Sequence, residues 1–292
     1  MRQRSRLPHR ILLAASVLAT ATLYVALLSV FHMQVRSEDV VFGASADTPD
    51  RLDVHLELFD LDPARLNATI RVAMVPSGGM RGTRATAPKK DVFVIVRVGD
   101  DVQELTFPAY ERMPMTDLHV DLESGSLLTY PFELYRNEMR WRAFEGTPLR
   151  RGAEVPLRFY TYETSPAFDV SMHASRVASP GDITVALAAS RPVVIKWFAA
   201  AIYLSMAAVG VGAVSIGALL LTRRRRLEAT LLGALCAMMF AVPVMRNTLP
   251  GNPPLGVAGD LIVFLWAELA VVFGLMMGIA TWVRDGMRPD GA

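Results

Sequence analysis

"VMRNTLPGNPPLGVAGDLIVFLWAELAVVFGLMMG", residues 244–278, decides the architecture. It joins the end of one apolar run to the start of another through a Pro-Gly-Asn-Pro-Pro turn, and it sets Arg246, Asp260 and Glu268 among oily neighbours. Pro250, Pro253 and Pro254 stop a helix and force the chain to turn. Two helices joined by a tight hairpin are therefore expected, and the apolar length on each side identifies their solvent. Apolar runs cover 227–245 and 257–283, and further ones cover 11–31 and 194–221. At about 1.5 Å per residue, each is long enough to cross a hydrocarbon core of roughly 30 Å.

Working outward, the basic residues give an orientation. Arg2, Arg4, Arg6 and Arg10 precede the first run, Arg223 to Arg226 join the second and third, and Arg284 and Arg288 follow the fourth. The positive-inside rule places these segments in the cytoplasm. The first run reads as an uncleaved signal anchor: it continues past a possible cleavage site at Ala19-Thr20-Ala21, where a signal peptide would end. The expected organisation is a basic tail and transmembrane helix over 1–36, an extracytoplasmic domain over 37–191, three transmembrane helices within 192–285, and a cytoplasmic tail over 286–292. Both termini are expected inside a multi-pass cell-membrane protein.

Residues 37–191 alternate with a period of two. "LDVHLELFD" (52–60), "LNATIRVAMV" (66–75), "DVFVIVRVG" (91–99), "TDLHVDLES" (116–124), "AEVPLRFYTYE" (153–163), "AFDVSMHAS" (167–175) and "GDITVALAA" (181–189) each predict a strand. Glycine-, proline- and aspartate-rich turns separate them. The expected fold class is an α+β membrane protein: an antiparallel β-sandwich inserted between the first transmembrane helix and a three-helix transmembrane bundle. The lone cysteine, Cys236, excludes an internal disulfide, so packing alone must hold the domain. The net charge of +2 gives no sign of nucleic-acid binding.

Few residues offer chemistry. Asp53, His55 and Glu57 share one strand face, as do Asp117, His119 and Asp121. Were those strands neighbours, the six side chains would make a metal site; a solvated sheet face is the competing reading. "LLTYPFELYRNEMRW" (127–141) reads as a structural corner with buried aromatics. Its Tyr130-Pro131-Phe132-Glu133 turn is similar to the aromatic-Pro-Phe-acid turn of pentameric ligand-gated channels. Those channels place all their spans after the β-domain and flank the turn with cysteines, which this chain lacks.

In the membrane, Arg246 and Asp260 are placed to pair across the hairpin mouth, with Asp260 favoured at a helix N-terminus. Glu268 lies about 12 Å deeper along a helix, where a carboxylate belongs in the bundle interior or a wet cavity. It is expected to turn away from the lipid-facing Trp266, with Tyr203, Ser205 or Ser215 as hydrogen-bonding partners. Gly274 and Gly278 form a small-xxx-small packing face.

The whole layout resembles the bacterial membrane proteins of domain-of-unknown-function family 4436. Tyr130, Pro131, Phe132, Arg246, Asn247, Pro250, Gly251, Pro253, Pro254, Gly256 and Asp260 carry that resemblance. It implies an integral membrane protein and adds no reaction. There is no nucleotide loop, catalytic triad order, zinc-protease motif or haem motif. The expectation is a non-enzymatic envelope protein without cofactor. Its partners are the lipid bilayer and, through the outer domain, a protein or envelope component, with a homo-oligomer possible. The alternative is an oligomeric channel or transport component with Glu268 lining a path.

Overall fold

A computed structural model describes Thr22, Val25, Ser29 and residues 40–162, 167–222 and 228–286. Eleven strands come first: β1 Val40–Gly43, β2 Arg51–Asp62, β3 Asn67–Ser77, β4 Val92–Val98, β5 Asp101–Phe107, β6 Thr116–Asp121, β7 Leu134–Thr147, β8 Arg150–Glu154, β9 Leu157–Tyr162, β10 Asp169–Ser179 and β11 Asp182–Ser190. They form one sheet in the order β1-β9-β2-β3-β6 and a second in the order β10-β11-β7-β4-β5, with β8 on β7. Alternation does the folding. Leu52, Val54, Leu56 and Leu58 on β2 face Tyr135, Met139 and Trp141 on β7 within one buried core, while Asp53, His55 and Glu57 turn outward.

Three helices follow: α1 Val193–Leu221, α2 Ala229–Asn247 and α3 Leu265–Gly286. A π-helical turn at Asp260–Phe264 leads into α3. Among the described residues, three helical segments are long and apolar enough to cross a membrane, and all of them follow the β-domain. α1 and α3 run parallel and close. Gly210 abuts Ala267, and one heptad further Gly217 abuts Gly274, so backbone meets backbone where side chains would hold the helices apart. Gly278 faces Leu232 and Leu235 of α2.

The expected fold class therefore needs correction. The β-domain is mixed, because β2 pairs with β9 in parallel, from Leu52 opposite Leu157 to Glu57 opposite Tyr162. It is also followed by three membrane helices, with no fourth set ahead of it in the described structure. The anchor read over 11–31 lies outside the described residues except at Thr22, Val25 and Ser29. The predicted strand over 153–163 is two strands, β8 and β9, separated by Val155-Pro156. Pro156 cannot donate to a ladder, so the chain crosses there from one sheet to the other.

Candidate functional site

Two buried ion pairs sit where the β-domain meets the helices. β11 ends at Ser190, Arg191 follows, and Pro192 caps α1. The Arg191 side chain is buried. Its Nε donates to Glu133 Oε1 at 2.6 Å, its Nη1 donates to the Ala167 carbonyl at 3.4 Å, and its guanidinium lies 4.1 Å from the Phe168 ring centre. Glu133 is itself fully covered. It stands just after the corner Leu127–Thr129, Tyr130, Pro131, which delivers the chain into β7. The Tyr130–Pro131 peptide is cis.

The same corner reaches the helical hairpin. The Tyr130 hydroxyl donates to the Pro250 carbonyl at 2.8 Å. Gly251 has φ +74°, and a Cβ there would fall 3.0 Å from Arg191 Nη1, so the turn lies directly on the guanidinium. Tyr130 packs in one cluster with Tyr203, Leu249 and Val257 of the helical part. Burial, and then the charge of Glu133, push the Tyr130 hydroxyl up to about 12, so it remains a donor across the physiological range.

A second buried ion pair closes the hairpin below. Arg246 Nη2 lies 2.7 Å from Asp260 Oδ2 and its Nε 3.1 Å from Oδ1, a two-pronged contact. Arg246 also donates to the Pro254 carbonyl at 2.8 Å, and Asp260 accepts from the Gly256 amide at 3.0 Å and the Tyr203 hydroxyl at 3.4 Å. Pro253 is buried in the turn, while Asn247 and Pro254 are exposed at its rim. Every charge of the two pairs is matched. The arrangement fixes geometry, and it holds no nucleophile beside a base.

Glu268 is half-buried on α3, and its Oε2 is enclosed without a hydrogen-bond partner. The expected partners are engaged elsewhere. Tyr203 bonds Asp260, Ser205 bonds the Ala201 carbonyl and Ser215 the Val211 carbonyl. Trp266 is exposed.

The histidine face does not assemble. β3 separates β2 from β6, which puts the two histidine strands about 10 Å apart. Arg71 of β3 occupies the gap, opposite Glu57 on one side and bonded to Asp117 at 3.0 Å on the other. His55 Nδ1 lies 2.9 Å from the Tyr162 hydroxyl, between stacked Tyr160 and Tyr162 rings, and burial lowers its pKa. His119 contacts Thr69, Asp53 pairs with Arg51, and Asp121 lies opposite Asn67. Among the described residues, no three His, Cys, Asp or Glu side chains are grouped to hold a metal.

Arg191 and Tyr130 are the junction residues that the sequence reading did not single out as a site. An isolated arginine before an apolar run has the look of an interfacial cation, and its acidic partner is 58 residues upstream. No curated protein matches the chain. A family model described as domain of unknown function (DUF8686) matches residues 191–285, starting at the junction arginine. A second, described as domain of unknown function (DUF4436), matches residues 42–188, which is the β-domain. The protein is thus a membrane-embedded protein carrying a β-domain outside the bilayer, and the chain belongs to the DUF4436 family.

Proposed function

We propose that this chain is a non-enzymatic cell-envelope protein, a binding scaffold or accessory subunit that presents its β-domain on the extracytoplasmic side. The observation that carries the reading is the junction. The Arg191–Glu133 pair and the Tyr130–Pro250 hydrogen bond hold the β-domain firmly on the helices. A rigid mount suits a surface that must be displayed at a fixed height and angle. The sidedness rests on the arginine bias of the sequence: the run Arg223 to Arg226 follows Leu221, the last residue of α1, whose first residue, Val193, adjoins the β-domain. Native mass measurement in mild detergent, on protein extracted from its own membrane, tests the function. One chain held with a different envelope component is expected, and a closed ring of identical chains would overturn the scaffold reading.

One observation favours the alternative of an oligomeric channel component: the partnerless Glu268 oxygen within a membrane span. If that carboxyl carries ions or protons, Glu268→Gln removes conductance in a planar bilayer while folding persists. An unaltered, ohmic baseline from both proteins would dispose of the channel.

A further inference from the structure

Three large apolar side chains at the entry to β7 face outward: Leu128 is 63 % exposed, Phe132 69 %, and Leu134, the first residue of the strand, is exposed as well. Their height above the membrane follows from their neighbour Tyr130, whose hydroxyl bonds the Pro250 carbonyl and whose ring packs with Tyr203, Leu249 and Val257. Below that level the span from Asp260 to Arg284 has 25 residues, about 37 Å of helix against a hydrocarbon core of roughly 30 Å. The surplus of about 7 Å leaves room for the charged Arg246–Asp260 pair at the upper edge of the hydrocarbon, and Tyr130, bonded to the hairpin between those two residues, lies just above it. Leu128 and Phe132 are each two residues from Tyr130, so their backbones lie within about 7 Å of it. That is the depth of the headgroup layer. Trp197, exposed on the second turn of α1, is the kind of residue that marks the same layer.

We infer that the corner Leu127–Leu134 is a lipid-seated foot: Leu128 and Phe132 insert into the headgroup layer of the bilayer that holds the helices. The occupant of this apolar surface is lipid, because buried Tyr130, between Leu128 and Phe132 in the chain, ties the corner to the cluster of the membrane helices. The foot gives the β-domain a second point of support beside the root of α1. Since β7 rises directly from it, the foot also sets the tilt of the second sheet.

The test uses the full chain in nanodiscs with Cys236 replaced by alanine and a bimane fluorophore on a new cysteine at Leu128→Cys or, separately, Phe132→Cys. Leu149→Cys is the control, because Leu149 is 98 % exposed beyond the far end of the 14-residue β7. The expected result is several-fold stronger quenching by headgroup-nitroxide lipid at 128 and 132 than at 149, with the opposite order for aqueous iodide. Iodide access at 128 and 132 equal to that at 149 would overturn the proposal. Protection from iodide without quenching by the nitroxide lipid would place protein over the corner, and would overturn it too. The two positions are read independently, so loss of folding in one variant leaves the other to decide.

Discussion

Glu133 holds Arg191 with one carboxylate oxygen, while the other is buried without a partner. An ion pair in that setting contributes little over a well-packed apolar pair, yet losing one member strands a buried charge. Glu133→Ala is therefore expected to destabilise the protein by about 3–5 kcal/mol, with Glu133→Ala, Arg191→Met together costing less than the single change. Chemical unfolding in detergent followed by circular dichroism measures both, and a double variant worse than the single one would show that the pair does not act as a pair. The tyrosines give a pH signature. Burial pushes both Tyr130 and Tyr135 up to about 12. Between the ordinary tyrosine value near 10 and that figure, the folded state keeps protons that the unfolded state has released. Stability must fall as pH rises through this window, and tyrosinate absorbance should show late-titrating groups, Tyr130 and Tyr135 among them, that titrate normally after denaturation. At this scale the sequence was legible where charge met proline, at Arg246, Asp260 and the turn between them. It was opaque at Arg191, whose acid lies on a distant corner that only the folded β-domain brings within reach.

The elements follow local pattern closely and long-range pattern poorly. The alternating run at 52–60 lies within β2, and that at 181–189 lies within β11 except for the turn residue Gly181, because each pleat has one face in the core. The parallel pairing of β2 with β9 left no trace, since its partners lie about a hundred residues apart with no turn to join them. β7, the longest of the described strands, begins in the stretch that reads as a structural corner with buried aromatics. Its outward face alternates charges with buried Tyr135, Asn137, Met139 and Trp141, but the proline-aromatic start masked the period. Among the helices, the close α1–α3 contact makes a sharp forecast. A Cβ at Gly274 would fall 2.4 Å from the Ala213 carbonyl, so Gly274→Ala must drive the helices apart. A loss of about 1–3 kcal/mol is expected. A Cβ at Gly212 meets nothing within 4 Å, and Gly212→Ala should be neutral or gain up to about 1 kcal/mol through helix propensity. Unfolding in mixed micelles with increasing dodecyl sulfate compares the two, and equal effects would show that the parallel contact is not tight.

For the whole molecule, the β-domain and the hairpin tip share one side of the membrane, because Tyr130 and Arg191 touch the Pro250-Gly251 turn. With the arginine bias, that side is expected to be extracytoplasmic. In intact cells an impermeant thiol reagent should label Arg81→Cys and spare Arg288→Cys, and the reverse pattern would invert the proposed orientation. The rigid mount is the more consequential expectation. Cys236 is exposed on α2 and Leu149 projects beyond the far end of β7. Nitroxides on the native Cys236 and on Leu149→Cys, in the full chain in nanodiscs, thus report the β-domain's position relative to the bundle by double electron–electron resonance. A single narrow distance distribution is predicted, broadening when Arg191→Ala breaks the junction. A distribution already broad with Arg191 in place, or one that Arg191→Ala leaves unchanged, would contradict a β-domain held by that junction.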